Sequence, residues 1–129
     1  MKSIELLNAI EKLEQGNGLT YYPYDNRLGK NVSESKFIKG ATIIIIEGIH
    51  SFHEIIRTKM DLKIFLDAES EVLKKIRYNA NINKRGCNVN EASENIKKEI
   101  EEYNKYIFPN IKYSDLIIEL NEEYRYKIK

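Results

Sequence analysis

Three groups of residues carry side chains and spacings suited to chemistry. The first is Glu47, which follows four consecutive isoleucines, Ile43 to Ile46, and precedes Gly48. A carboxylate at the end of a buried strand is costly unless a cation or a hydrogen-bond donor meets it. Ligands of open parallel sheets bind beyond the carboxyl ends of the strands. Glu47 therefore reads in two ways: as an acid that orients Mg²⁺ beside a nucleotide phosphate, directly or through water, or as a capping or ion-paired acid at a strand end. Gly48 lets the backbone turn sharply or a ligand approach. The second group is Arg77 with Lys84, Arg85 and Gly86. A segment carrying these cations could close over a triphosphate and stabilise charge on a transferring group. Equally, it could complete the basic end of a helix before a glycine cap. The third is Tyr21-Tyr22-Pro23-Tyr24-Asp25, a rigid aromatic turn that either stacks on a base or sugar or borders the core.

Other chemistries find no support. His50 and His53 have no Cys or third His near them for a zinc site. Cys87 is the single cysteine, so an internal disulfide is impossible. No Gly-x-Ser-x-Gly pattern argues for acyl transfer. The 129 residues suit one domain, residues 1–129, ending in a charged tail over residues 121–129. Lys and Arg total 21 against 20 Asp and Glu, a formal charge of +1. Such a balance provides no field to recruit nucleic acid or an anionic membrane, so any anion site must be local. Residues 1–19 resemble neither a signal peptide nor an anchor, and no run approaches the roughly 20 apolar residues of a membrane span. A cytoplasmic location is the expectation.

The elements that must position these groups follow from periodicity. Ile4, Leu6, Leu7, Ile10 and Leu13 predict a helix over residues 3–15, stopped at Gly16. Residues 19–22 predict a short strand, and residues 25–39 a polar loop that could fold over a ligand. The unbroken apolar run at residues 41–48 predicts a central parallel strand buried on both faces. Ser51-Phe52-His53-Glu54 matches a capping box opening a helix to about residue 58. Residues 62–66 predict a strand closed by Asp67, followed by a helix to about residue 83 with Val72, Leu73 and Ile76 inward. A break near Gly86, a helix over residues 91–106 stopped by Pro109, and a strand over residues 115–120 complete the pattern. Strands alternating with helices predict an α/β fold with a parallel sheet.

In order, Pro23-Tyr24-Asp25, Ile45-Ile46-Glu47-Gly48-Ile49, residues 61–67, Arg77, Arg85-Gly86, Ile107-Phe108-Pro109 and residues 112–118 resemble the uridine kinase and phosphoribulokinase family of P-loop kinases. The resemblance implies a partial P-loop NTPase-like three-layer α/β fold and an ATP-dependent transfer of phosphate to a hydroxyl of a nucleoside or related ribose-containing acceptor. It implies that Glu47 holds the Mg²⁺ of bound ATP, that Tyr24 faces the acceptor with Asp25 supporting the turn, and that Ile49 lines the pocket. Arg77 and Arg85 would contact phosphates or substrate from the lid-side helix, with Lys84 and Arg85 on the bound nucleotide. Several family features are absent or replaced. No N-terminal strand with Gly-x-x-x-x-Gly-Lys-Ser/Thr precedes this region, and the acid that follows that loop is missing too. Ala80-Asn81 replaces an Arg-Asp pair, Cys87 stands where a further arginine is usual, and Asn26 and Gly29 occupy aromatic and histidine positions. The isolated chain is accordingly expected to have little or no kinase activity. Its expected partners are a small nucleoside or sugar, a separate P-loop-bearing polypeptide or a second copy, with no nucleic acid and no membrane. The alternative is a non-catalytic, kinase-like scaffold or split subunit that binds a partner or small anion.

Overall fold

The period of apolar residues near the start is the one the backbone adopts. Helix α1 spans Ser3–Glu14. It closes in a Schellman arrangement, the Asn17 and Gly16 N–H groups donating to the Lys12 and Leu13 carbonyls, each at 3.0 Å. The computed structural model describes residues 3–25 and 28–129, so Asn26 lies outside the described residues. The chain divides into two units, Met1–Lys59 and Met60–Lys129, and each is described by itself.

In the first unit, β1 (Leu19–Tyr21) pairs antiparallel with β4 (Lys36–Ile38), Leu19 opposite Ile38. Strand β2 (Tyr24–Asp25) pairs antiparallel with β3 (Lys30–Asn31). The expected polar loop at residues 25–39 thus contains paired strands. Asp25 Oδ1 accepts the Leu28 N–H at 3.2 Å, and its carbonyl accepts that of Gly29 at 2.8 Å. Helix α2 (Glu54–Arg57) packs on α1, and Ile10 of α1 and Ile56 of α2 are both buried.

Two expectations in this unit are corrected. Residues 41–48 are not a strand. Ile44 and Ile46 are half-buried, whereas Ile43 and Ile45 are 78% and 86% exposed. An isoleucine run is competent for β-structure, but a strand exists only where neighbours take up its N–H and C=O groups. Among the described residues no strand pairs with it. Ser51 does not cap α2 either: its hydroxyl donates back to the Gly48 carbonyl at 2.7 Å, and His53 occupies the cap position without a side-chain bond.

In the second unit, β5 (Ile64–Asp67) runs parallel to β6 (Leu116–Leu120), which pairs antiparallel with β7 (Tyr126–Ile128). The residues expected as a charged tail therefore supply an edge strand. Lys63 and Asp115 fix the parallel register at the amino ends of the strands. The Asp115 carboxylate accepts the Lys63 N–H and meets its ammonium, both at 2.8 Å, while the Asp115 N–H donates to the Lys63 carbonyl at 2.8 Å. Between β5 and β6 lie α3 (Ser70–Asn83) and α4 (Val89–Glu102), packed together. Gly86, at φ +70°, makes the break between them in a region that L side chains avoid. Regular α-structure ends at Glu102, earlier than expected. A π-helical turn, Tyr103–Ile107, and a 3₁₀ helix, Phe108–Tyr113, with Pro109 in its first turn, lead to β6. Phe65, Val72 and Ala92 are buried, and so is one polar residue, Asn81. The molecule is thus mixed α/β with a small sheet containing a parallel pair. Among the described residues no helix is long and apolar enough to cross a membrane.

Helix α4 starts with a capping box: Asn88 Oδ1 accepts the Glu91 N–H at 2.9 Å, and the Glu91 carboxylate accepts the Asn88 N–H at 3.0 Å. Asn88→Ala removes the first of these bonds and should cost about 1 kcal/mol. The denaturant midpoint should fall with the slope unchanged; an unmoved midpoint would show that α4 is anchored elsewhere.

Candidate functional site

Arg77 lies on α3, and Arg85 lies just beyond its end, after Lys84 at the cap position. Eight residues apart, the two side chains have no reason of helix geometry to meet. What joins them is Glu99, on α4. Glu99 Oε2 accepts from Arg77 Nε at 3.0 Å, and its Oε1 accepts from Arg85 Nη1 at 2.7 Å. Asn81 completes the cluster: its Nδ2 donates to Glu99 Oε2 at 3.4 Å, and its Oδ1 accepts from Arg85 Nη1 at 3.0 Å.

The layering of this cluster matters. Asn81 is fully buried, the Glu99 side chain is 18% exposed, and those of Arg77 and Arg85 are 36% and 53% exposed. The carboxylate is the most covered of the three charged side chains, and the two arginines are the more exposed. Burial pushes the Glu99 carboxyl up, but the Arg77 and Arg85 hydrogen bonds, the Arg77 charge and Asn81 outweigh it and hold the group below the ordinary glutamate range. Glu99 was not singled out by motif reading, and Asn81 was noted only as a departure from the family pattern. A signal for Glu99 was available: it lies seven residues after the buried Ala92, on the inward stripe of α4. A carboxylate in such a place demands a cation. Lys84 is exposed and stands outside the cluster.

The carboxyl end of the parallel pair carries a second group, of which sequence reading marked Asp67 alone. Lys129 Nζ bridges Asp67 Oδ2 at 3.3 Å and Glu119 Oε2 at 2.8 Å. Asp67 Oδ1 accepts the Ala68 N–H at 2.9 Å and the Tyr103 hydroxyl at 3.4 Å. Burial, followed by the charge and hydrogen bond of Asp67, pushes the Tyr103 phenol up to about 12. A hollow of about 150 Å³ opens beside Asp67, Ser70, Tyr103 and Asn104.

In the first unit, Tyr24 and Asp25 line a hollow of about 650 Å³ with Pro23, Val32, Glu34 and Lys36. Tyr24 is exposed. Ile49 is exposed and outside that lining. Glu47 is also exposed, followed by Gly48 at φ +128°. It is therefore not the desolvated acid at a strand end that its position suggested, because the strand that would bury it is not formed. Among the described residues no hydrogen bond or ion pair engages its carboxylate, and no group of three or more His, Cys, Asp or Glu could hold a metal by itself.

Comparison with known proteins covers nearly the same residues. The family model described as "Phosphoribulokinase / Uridine kinase family" matches residues 4–125. The chain is 33% identical over 116 residues to the uridine kinase of Schizosaccharomyces pombe, covering 83% of this chain and 24% of that protein. It is 30% identical over 115 residues to uridine kinase-like protein 5 of Arabidopsis thaliana, covering 88% and 25%. With the uridine kinase of Haemophilus ducreyi it shares 29% over 115 residues, covering 88% and 53%. The chain thus spans about a quarter to a half of the length of these relatives.

The Glu99 cluster has a pH signature. Its carboxyl titrates lower in the folded than in the unfolded chain, so its stabilisation is complete above the ordinary glutamate value and is lost as pH falls through the folded value. Glu99→Gln should lower stability by about 1–2 kcal/mol at neutral pH. The gap from the parent should close on acidification below about pH 4. Urea midpoints measured across that range check this, and a gap independent of pH would contradict it.

Proposed function

As this chain belongs to the phosphoribulokinase / uridine kinase family, we propose that it is the phosphate-clamping and acceptor-facing part of an ATP-dependent phosphotransferase. The acceptor is a hydroxyl of a nucleoside or related ribose-containing molecule, and the architecture is that of the P-loop NTPase-like three-layer folds. The observation that carries this reading is the convergence of Arg77 and Arg85 on one covered carboxylate, with both arginine side chains more exposed than the acid they share.

Phosphoryl transfer is mostly positioning and electrostatic stabilisation. Arginine presents its donors in a rigid planar fork that matches phosphate oxygens, so two such forks beside a break at Gly86 suit the charge that develops on a transferring group. Lys84, exposed beside them, adds a point charge for the same phosphates. Mg²⁺ is commonly held by one or two carboxylates together with phosphate oxygens, and Glu47, exposed and free of protein partners among the described residues, fits as the single carboxylate. When bound, ATP supplies the phosphoryl group and its Mg²⁺ neutralises charge upon it. Tyr24 offers its ring to the base or sugar of the acceptor, and Asp25 holds the turn that presents it; Ile49, outside the lining of that hollow, would reach the ligand only as exposed apolar surface at its margin.

A second reading draws on the exposed isoleucines at 43 and 45. A partner polypeptide supplying a strand to residues 43–46 would make the chain a split subunit or non-catalytic scaffold. Turnover of ATP and uridine by the chain alone would sink this second reading.

Calorimetric titration with ATP–Mg²⁺ tests the first. Arg77→Ala and Arg85→Ala should each weaken binding about tenfold, or roughly 1.4 kcal/mol, and Glu47→Gln should remove the dependence on Mg²⁺ while leaving the affinity for metal-free ATP unchanged. Binding that none of these substitutions alters would refute the assignment.

A further inference from the structure

We infer that Glu99 is a positioning residue, which holds the guanidinium groups of Arg77 and Arg85 in one orientation so that their remaining N–H groups form a ready-made seat for a polyphosphate. The inference rests on the reading of Arg77 and Arg85 as phosphate ligands and extends it to a residue outside every motif.

Three observations carry it. First, Glu99 spends only part of each arginine's donor set. Arg77 is engaged through Nε alone, and Arg85 through Nη1 alone, shared between Glu99 and Asn81. A guanidinium has five N–H donors, so among the described residues both Nη groups of Arg77, and Nε and Nη2 of Arg85, are left for a ligand. Second, the layering puts the anion beneath the cations. Two positive charges against one negative leave the cluster net positive, with the positive members nearest to water. A simple interhelical brace would be served by one arginine and would not need the other. Third, the floor of the cluster is buried and hydrogen-bonded on several sides. Asn81 is fully buried and bonded to both Glu99 and Arg85, and its carbonyl accepts the Cys87 N–H at 3.0 Å across the Gly86 break. The bend that carries Arg85 is thereby tied to the carboxylate that orients it.

The physical consequence is preorganisation. Long side chains lose rotamer freedom when a ligand orders them, and that loss weakens binding. With Glu99 in place the ordering is complete before the ligand arrives. Without it, two like charges lie near each other with nothing between them and turn apart into water. Glu99 also repels an incoming anion. That repulsion is blunted because the carboxylate is covered and already bonded to both cations. The two effects have opposite signs on affinity, which makes the inference easy to test.

The probe is inorganic tripolyphosphate, titrated into the full chain by calorimetry. Glu99→Ala should bind it about tenfold more weakly, Glu99→Gln should behave similarly because the charge is gone, and Glu99→Asp should recover part of the loss. Unchanged or tighter binding by a folded Glu99→Ala or Glu99→Gln protein overturns the inference, because it makes Glu99 a competitor. A measurement on the unsubstituted protein guards against variants that fail to fold. The Arg77 Nε–H resonance should stay protected from exchange when tripolyphosphate saturates the site. Its loss on saturation would show the ligand displacing Glu99, and would likewise overturn the inference. Arg77→Ala and Arg85→Ala separate the two levels. If both bind tripolyphosphate as the parent does, the phosphate reading and this inference fall together. If they weaken binding and Glu99→Ala does not, only the positioning role falls.

Discussion

A single carboxylate holds the second unit's chemistry together. Glu99 reaches from α4 to a residue on α3 and to another beyond its end, so the same group that braces the helix pair sets the direction of two cations. Remove it and nothing else among the described residues would draw Arg77 toward Arg85. The placement is economical in polar terms, since a fully buried amide, Asn81, finds its partners in the same ion cluster. Buried polar groups are tolerated when every member is satisfied, and no buried side-chain donor or acceptor among the described residues lacks a partner.

What the amino-acid order reveals is what is local. The first helix, the short strand at Leu19, the β5 strand and the helix that follows announce themselves through period and punctuation, because 3.6-residue spacing and glycine stops are properties of a few neighbouring residues. Arg77 and Arg85 were legible as candidates for the same reason. Their meeting point was not, since an ion pair across 14 or 22 positions depends on how two helices pack. The isoleucine run shows the converse error. Its composition speaks for a buried strand, yet burial is supplied by neighbours, and the described part of the chain places none beside it. Likewise the capping motif at Ser51 is a pattern of residue types. The hydroxyl takes the Gly48 carbonyl because the backbone there folds back on itself. Strand β7 hid in a stretch whose charges at Glu122, Glu123 and Arg125 look like a solvated tail. The turn at Asn121, which accepts the Glu123 and Arg125 N–H groups through its side chain at 3.0 and 2.9 Å, is what folds that stretch back.

The chain belongs to the phosphoribulokinase / uridine kinase family, and the arrangement of its residues falls into two parts. Charge handling is concentrated in the second unit, where ion pairs cluster on α3, α4 and the sheet. Aromatic surface and the larger hollow belong to the first unit, around Tyr24. The sheet's own carboxyl end is occupied internally, with Lys129 set between Asp67 and Glu119. In a family whose chemistry concerns anions, that lysine keeps two acids from presenting negative charge at the strand ends.

The isoleucines at 43–46 bear on how the molecule behaves in a tube. A short, uncharged, β-branched run without proline is the signature of a segment that stacks against copies of itself. Lys39 and Glu47 stand on either side of it, and flanking charges of this kind act as gatekeepers against such stacking. Glu47 stands where such a flanking charge is expected to act. A neutral side chain at that position would first change how much chain stays dispersed at high concentration, so turbidity has to be recorded alongside any loss of metal response.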